Sequence, residues 1–251
     1  MGKPRVAIFD FACCEGCQLQ IVNLEEELLD LVGVVEVVQW REAMSEYDDR
    51  YDIAIVEGSI TRPQDEQRVK QIRQIAKVLV ALGACATTGG VNKLKNNFDL
   101  QEVKACVYGP DASKPHLDTG LTKAVGEVVP VDFCIHGCPI DRDEFKYVIS
   151  SLLLGNTPQI PPYPVCVECK SKGNPCVWEY GQVCLGPITR AGCGARCPSN
   201  GFRCFGCRGY ADNPNVDAAI DVVKRFGLAV DDLRLKMSLF NSQQGPTLKT
   251  S

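Results

Sequence analysis

Apolar and polar residues alternate in blocks along the first 150 residues. Short β-rich apolar runs are followed by stretches such as Gln18–Val32, in which apolar residues recur every three or four positions, as on one face of a helix. A regular succession of strands and helices predicts a parallel sheet covered by helices on both faces. We therefore expect an α/β, flavodoxin-like domain over residues 1–155. The predicted strands are Arg5–Phe11, Val34–Trp40, Tyr51–Val56, Val78–Leu82, Val103–Tyr108 and Val128–Phe133.

Two further helices have recognisable end signals. Thr61 is expected to cap a helix that turns Val69, Ile72 and Ile75 inward. A second helix begins with the capping-box pair Asp141 and Glu144 and is expected to end at Gly155. Its apolar stripe consists of Phe145, Val148, Ile149 and Leu152.

The amino-acid composition of the chain changes after this helix. Residues 156–165 contain four prolines and predict a stiff, extended linker. Residues 166–210 contain eight cysteines, many glycines and few aliphatic residues, so we expect this segment to be organised by something other than an apolar core. Residues 211–251 predict one helix, Val216–Phe226, and a tail that becomes polar.

Fifteen cysteines are the unusual feature of an otherwise ordinary composition, with 45% hydrophobic and 23% charged residues. The sequence starts without a signal-peptide pattern and has no apolar run long enough to span a membrane. We therefore expect a cytoplasmic protein with reduced thiols, where many cysteines indicate metal binding. The net charge of −4 argues against a nucleic-acid partner, and two histidines are too few for a histidine-rich zinc or haem site. Iron–sulfur clusters and all-cysteine zinc sites remain.

Four cysteines follow the ends of three predicted strands. Because parallel strands end at one edge of the sheet, these thiols are expected to converge there, as a cubane iron–sulfur cluster requires. The alternative is that they are small buried apolar residues, as free cysteines often are. Cys106 and Cys134 fit that alternative and are expected in the core, whereas the role of Cys13 stays open. The four candidate ligands are Cys14, Cys17, Cys85 and Cys138.

The eight cysteines of residues 166–210 are enough for two further sites of four thiolates each. Zinc sites also use paired Cys-x2-Cys motifs, so spacing alone leaves zinc possible. The same segment has six Lys or Arg residues against two Glu residues. Such a positive shell would offset the charge of thiolate clusters, although a solvated basic surface would look the same.

Several short motifs in the chain match one known family: Cys14-x2-Cys17, Gly83-Ala84-Cys85-Ala86, Gly137-Cys138-Pro139, Val56-Glu57-Gly58-Ser59, Cys176-Val-Trp-Glu-Tyr-Gly and Cys184-Leu-Gly-Pro-Ile-Thr. Together they resemble the small subunits of nickel–iron hydrogenases. Many members of that family have a twin-arginine signal and a histidine ligand; here there is no such signal, and Cys166 stands at the histidine position. The resemblance is therefore to the cytoplasmic multimeric group, which includes sulfhydrogenases and the methyl-viologen-reducing and deazaflavin-reducing types.

The resemblance implies three [4Fe-4S] clusters that conduct electrons from dihydrogen oxidation, reversibly. We call the three sets of ligands that it implies the near, middle and far groups. The near group is Cys14, Cys17, Cys85 and Cys138; the middle group is Cys193, Cys197, Cys204 and Cys207; the far group is Cys166, Cys169, Cys176 and Cys184.

The resemblance also implies partners. These are a large subunit that holds the nickel–iron centre and further iron–sulfur or flavin redox subunits. Lys170 and Lys172, inside the far group, are candidates for guiding an acidic redox partner. The alternative interpretations are a connecting subunit like that of respiratory complex I, which would bind only the near cluster, and a zinc-stabilised interaction module.

Overall fold

The computed structural model describes residues 2–242. Its centre is a sheet of five parallel strands in the order β2-β1-β3-β4-β5. This strand order is that of flavodoxin-like folds and confirms the predicted α/β class. The strands are β1 Arg5–Asp10, β2 Glu36–Trp40, β3 Ile53–Glu57, β4 Val78–Leu82 and β5 Phe133–Ile135.

Helices cover both faces of the sheet because side chains alternate along each strand. Val6 and Ile8 of β1 pack in one apolar cluster with Phe145, whereas Ala7 and Phe9 pack in another with Val69. The helices of this part are α1 Gly16–Val22, α2 Glu26–Val34, α3 Pro63–Ile75, α4 Gly83–Thr88, α5 Leu100–Tyr108 and α6 Arg142–Leu153.

Residues 156–162 lead from α6 to the cysteine-rich part without helix or strand. The helices that follow are α7 Val165–Ser171, α8 Arg196–Ser199, α9 Val216–Arg225 and α10 Val230–Asn241. No helix within residues 2–242 has the length and apolar character needed to cross a membrane. The division at residues 155, 165 and 210 stays a prediction.

The expectation that the cysteine-rich part has no apolar core is wrong. Val165, Trp178 and Leu185 are buried and pack with Val223 of α9 and Leu233 of α10. The two helices that follow in the sequence therefore supply the aliphatic side chains that complete this core. The second of these, α10, is absent from the sequence-based predictions, and the polar tail beyond residue 242 lies outside the described residues.

The predicted strand Val103–Tyr108 is helix α5 instead. Asp99 caps this helix, because its side chain accepts hydrogen bonds from the backbone N–H groups of Gln101 and Glu102. Cys106 is consequently exposed on a helix and is not a core residue, which corrects the prediction. Within the predicted strand Val128–Phe133, only Phe133 belongs to β5.

Other differences concern helix ends and orientation. The predicted helix Gln18–Val32 is two helices, α1 and α2, separated near Glu25, whose φ is 55°. Helix α3 begins after Arg62 and not at Thr61, and its residue Ile75 is exposed. Asp141 caps α6 as predicted, whereas the Glu144 carboxylate binds Arg208.

Candidate metal centres

The near group lies at the carboxyl edge of the sheet. Cys14 and Cys17 follow β1, Cys85 lies in α4 directly after β4, and Cys138 follows β5. The backbone N–H of Ala84 donates to the Gly137 carbonyl oxygen at 2.7 Å, which joins the last two loops. The structure therefore brings the four thiols, from three loops, to one edge.

Electrostatic interactions show that these thiols are neighbours. Burial, with smaller contributions from Cys138 and Cys14, raises the pKa of Cys85 to about 12. Burial and the Glu57 carboxylate raise the pKa of Cys17 as well. Negative charge on these sulfurs is thus disfavoured unless a cation joins them, and the irons of a cluster are such cations. Cys14 and Cys138 are exposed on this chain.

Gly83 makes room for the near group. Its φ is +80°, and a Cβ atom at this position would lie 2.4 Å from the Sγ atom of Cys17. Both the backbone conformation and the space therefore require glycine between β4 and Cys85.

Glu57, at the end of β3, holds the first turn of α1. Its carboxylate accepts the backbone N–H groups of Cys17 at 3.1 Å and of Gln18 at 3.2 Å. Burial raises the pKa of Glu57. The side chain of Gln18 in turn accepts the indole N–H of Trp40 at 2.8 Å. A buried carboxylate thus fixes where Cys17 stands at the edge of the sheet.

The far group surrounds a cavity of about 210 Å³. Trp178 and Phe226 also line this cavity, with their rings edge to face. Burial, with contributions from the neighbouring cysteines, raises the pKa of Cys166 to about 12. The lining cysteines are Cys166, Cys169, Cys176 and Cys184, the full far group. An apolar cavity with four thiols is the donor set that an iron–sulfur cluster requires.

Hydrogen-bond donors already point at the far sulfurs. The Cys184 Sγ atom accepts the backbone N–H of Cys204 at 3.1 Å and that of Gly186 at 3.5 Å. The amide of Asn174 lies 3.8 Å from the Cys169 Sγ atom. Such donors stabilise thiolate ligands and influence the reduction potential of a bound cluster.

The middle group lies between the other two. The pKa of Cys207 is raised to about 11 by burial, and Cys193 and Cys197 are among the neighbours that raise it. The backbone of Cys138, in the near group, donates a hydrogen bond to the Cys207 thiol. Cys204 is buried beside Cys184 of the far group and also interacts with Cys207. The three groups therefore follow one another in space in the order near, middle and far.

The three remaining cysteines differ from one another. Burial raises the pKa of Cys13 to about 12, and its interactions with Glu57 and Cys85 place it beside the near group. Cys134 lies in β5 and packs partly buried against the core, as predicted. Cys106 is on the exposed face of α5.

Lys170 and Lys172, which lie between far-group cysteines, have different surroundings. Lys172 donates a hydrogen bond to the Gly194 carbonyl oxygen, next to Cys193 of the middle group. Lys170 is exposed and lies at the cavity of the far group. Both lysines are exposed, and of the two Lys170 is the one that borders the far cavity, as the docking hypothesis requires.

Sequence patterns missed the carboxylates and the arginine that hold the ligand loops. Glu168 accepts the backbone N–H groups of Gly192 at 2.8 Å and of Ala195 at 3.0 Å, on either side of the Cys193 loop. Arg208 and Glu144 form a buried ion pair. The spacing of apolar residues along the chain does not predict that a charged residue is buried against a partner far away in the sequence.

Comparisons with known proteins find relatives along most of the chain. The family model described as NADH ubiquinone oxidoreductase, 20 Kd subunit, matches residues 14–152, which include the near group alone. Sulfhydrogenase 2 subunit delta of Pyrococcus furiosus is 35% identical over 238 residues, covering 94% of this chain and 98% of that protein. A subunit of the F420-non-reducing hydrogenase vhu of Methanocaldococcus jannaschii is 31% identical over 270 residues, covering 94% and 93%.

Solved structures give the same result. A NAD⁺-reducing [NiFe]-hydrogenase chain has a TM-score of 0.59 and 26% identity, covering 64% of this chain and 96% of that one. A chain of the actinobacterial-type NiFe-hydrogenase from Ralstonia eutropha H16 has a TM-score of 0.58 over 99% of this chain and 93% of its own; at 17% identity, it shows the shared fold. The two relatives just named match along 94% of this chain, cysteine-rich part included, and both are named as hydrogenase subunits. The chain therefore belongs to the family of the 20 Kd NADH ubiquinone oxidoreductase subunit, and within it to the small subunits of nickel–iron hydrogenases.

Proposed function

We propose that the chain holds three [4Fe-4S] clusters, one at each of the near, middle and far groups, with four cysteine ligands per cluster. The observation that supports this most strongly is the spatial succession of the groups. Cys207 contacts the backbone of Cys138, and Cys184 accepts the backbone N–H of Cys204. Twelve cysteines spread through two parts of the fold thus form one continuous series of thiols.

The reaction belongs to the complex and not to this chain alone. Bound clusters supply one-electron transfer, here between dihydrogen oxidation at a nickel–iron large subunit and further iron–sulfur or flavin subunits, in either direction. This chain contributes the positions of the thiolates, their burial and the N–H groups that stabilise them. A cytoplasmic location is part of the proposal, because fifteen cysteines without a disulfide fit a reducing compartment.

The large subunit is proposed to cover the carboxyl edge of the sheet, where the near group lies. Cys14 and Cys138 are exposed there, and α1 adds the exposed apolar side chains Leu19 and Val22. Thiolate ligands and apolar residues at one surface favour an obligate protein contact, which typically buries more than roughly 2,000 Å². The far cavity, bordered by the half-exposed Phe226, is then the exit toward other redox subunits.

The proposal is tested by expressing the chain with and without its large subunit under anaerobic conditions. We expect hydrogen-dependent dye reduction from the co-expressed complex and none from the single chain, which should also aggregate through its uncovered edge. A Cys138→Ser complex is the control, because it should retain the large subunit but lose the near cluster and dye reduction through this chain. Hydrogen-dependent dye reduction by the nickel-free single chain would contradict the proposal.

A further inference from the structure

Arg208 is among the largest fully buried side chains of the described residues, with 1% of its surface exposed. Its Nη1 and Nη2 atoms donate to the two carboxylate oxygens of Glu144 at 2.9 Å and 2.6 Å. Nη1 also donates to the carbonyl oxygen of His136 at 2.6 Å, and Nε donates to that of Ala191 at 2.9 Å. One guanidinium group thus binds three separate segments.

Two of these segments lead directly to a cysteine of the near or middle group. His136 precedes Cys138 by two residues, and Ala191 precedes Cys193 by two residues. Arg208 itself directly follows Cys207. Glu144 lies in the first turn of α6, the helix that follows the Cys138 loop. The side chain therefore ties the ligand loops of two groups to each other and to the sheet domain.

The surroundings are shaped to admit the guanidinium group. Gly192 has a φ of +113°, and a Cβ atom there would lie 2.4 Å from Nη2 of Arg208 and 2.8 Å from Oε1 of Glu144. A residue with a side chain would collide with the ion pair. The ion pair between Arg208 and Glu144 therefore requires a glycine at position 192, next to Cys193.

Stability alone does not account for a buried ion pair. Desolvation of two charges offsets most of their attraction, and apolar residues of similar volume often serve stability equally well. Directional geometry is what an arginine adds, because its planar fork fixes a carboxylate and further acceptors in defined positions. A lysine ammonium group has no such fork.

We propose that Arg208 is a positioning residue which, through Glu144, His136 and Ala191, fixes Cys207 and Cys193 relative to Cys138. The inference rests on the proposed function, since it sets the separation of the near and middle clusters. In this role Arg208 neither contacts a substrate nor binds a cluster.

The test uses the hydrogen-reduced complex in four forms: wild type, Arg208→Lys, the double variant Arg208→Met with Glu144→Met, and Arg203→Met. The double variant removes both buried charges and so avoids leaving one unpaired. Arg203→Met is the matched control, because Arg203 also adjoins a ligand, Cys204, but stacks on Phe205 and forms no ion pair with a carboxylate within residues 2–242. The readouts are iron per chain and the splitting of the electron paramagnetic resonance signals by magnetic interaction between neighbouring clusters.

We expect about 12 iron atoms per copy of this chain in all four forms, as three cubanes require, beyond the one iron of the nickel–iron centre. The splitting between near and middle signals should be lost or altered in both Arg208 variants and retained in Arg203→Met. Unchanged splitting in the Arg208 variants, an equal change in Arg203→Met, or loss of four irons from the Arg208 variants would each overturn the positioning role. A wild-type complex without three interacting cluster signals would instead overturn the proposed function.

Discussion

The backbone N–H of Cys204 donates to the Sγ atom of Cys184 at 3.1 Å, so two cysteines assigned to different clusters are in direct contact. This contact joins the middle and far groups. It also makes Cys204 the residue whose assignment most affects the order of the proposed clusters.

Replacement of Cys204 by alanine should remove the middle cluster alone. Iron should fall from about 12 to about 8 atoms per chain, because one cubane of four is lost. The far cluster should survive, since alanine keeps the N–H group that binds Cys184. Iron analysis with electron paramagnetic resonance measures both effects, and loss of the far signals would mean that Cys204 belongs to the far group.

The spare thiols should tolerate replacement. Cys106→Ala, on the exposed face of α5, should change the free energy of unfolding by less than about 0.5 kcal/mol. Cys134→Ala leaves a small cavity beside the core and should cost on the order of 1 kcal/mol. Denaturant unfolding gives both values. Iron per chain should equal wild type in both variants, and loss of a cluster from either would show a wrong ligand assignment.

The Glu168 carboxylate should stabilise the Cys193 loop. Glutamine keeps a single acceptor oxygen for the two N–H groups of Gly192 and Ala195, so Glu168→Gln should lower the free energy of unfolding by roughly 1–2 kcal/mol. Glu179→Gln, an exposed residue of the same segment, is the control and should have little effect. Equal stability of the two variants would refute a role for Glu168.

Reversing the charge of Lys170 and of Lys172 should have different effects on electron transfer. Lys170→Glu should slow reduction of the physiological acceptor at low ionic strength and leave hydrogen-dependent reduction of a neutral dye unchanged. Lys172→Glu also loses the bond to Gly194 and should slow both reactions. Stopped-flow kinetics at two salt concentrations distinguishes these outcomes. Equal slowing of both acceptors in Lys170→Glu would remove the support for docking at this lysine.

The sheet and its edge follow from the sequence because their determinants are local. Apolar runs such as Val78–Leu82 specify a strand by composition, and parallel topology then brings loops after different strands to one side. Convergence of Cys14, Cys85 and Cys138 therefore needs no knowledge of distant contacts. The apolar spacing of Leu233, Met237 and Phe240 fits α10 as well, although the polar residues that follow obscure this helix in the sequence.

What the sequence does not reveal depends on distant partners. A short, mostly apolar segment such as Val103–Tyr108 fits a strand or a helix equally, and the cap from Asp99 decides for a helix. Burial of Arg208 depends on Glu144, 64 positions away, so no local pattern predicts this ion pair. The cysteine-rich part likewise obtains its core from α9 and α10, outside the segment itself.

The central claim is that this chain holds three four-cysteine clusters. Iron, acid-labile sulfide and zinc in the anaerobically purified protein, together with its Mössbauer spectrum, test it most directly. We expect about 12 iron and 12 sulfide atoms per chain, no stoichiometric zinc, and iron in cubane clusters only. About four iron atoms with zinc in the remaining sites would contradict the claim.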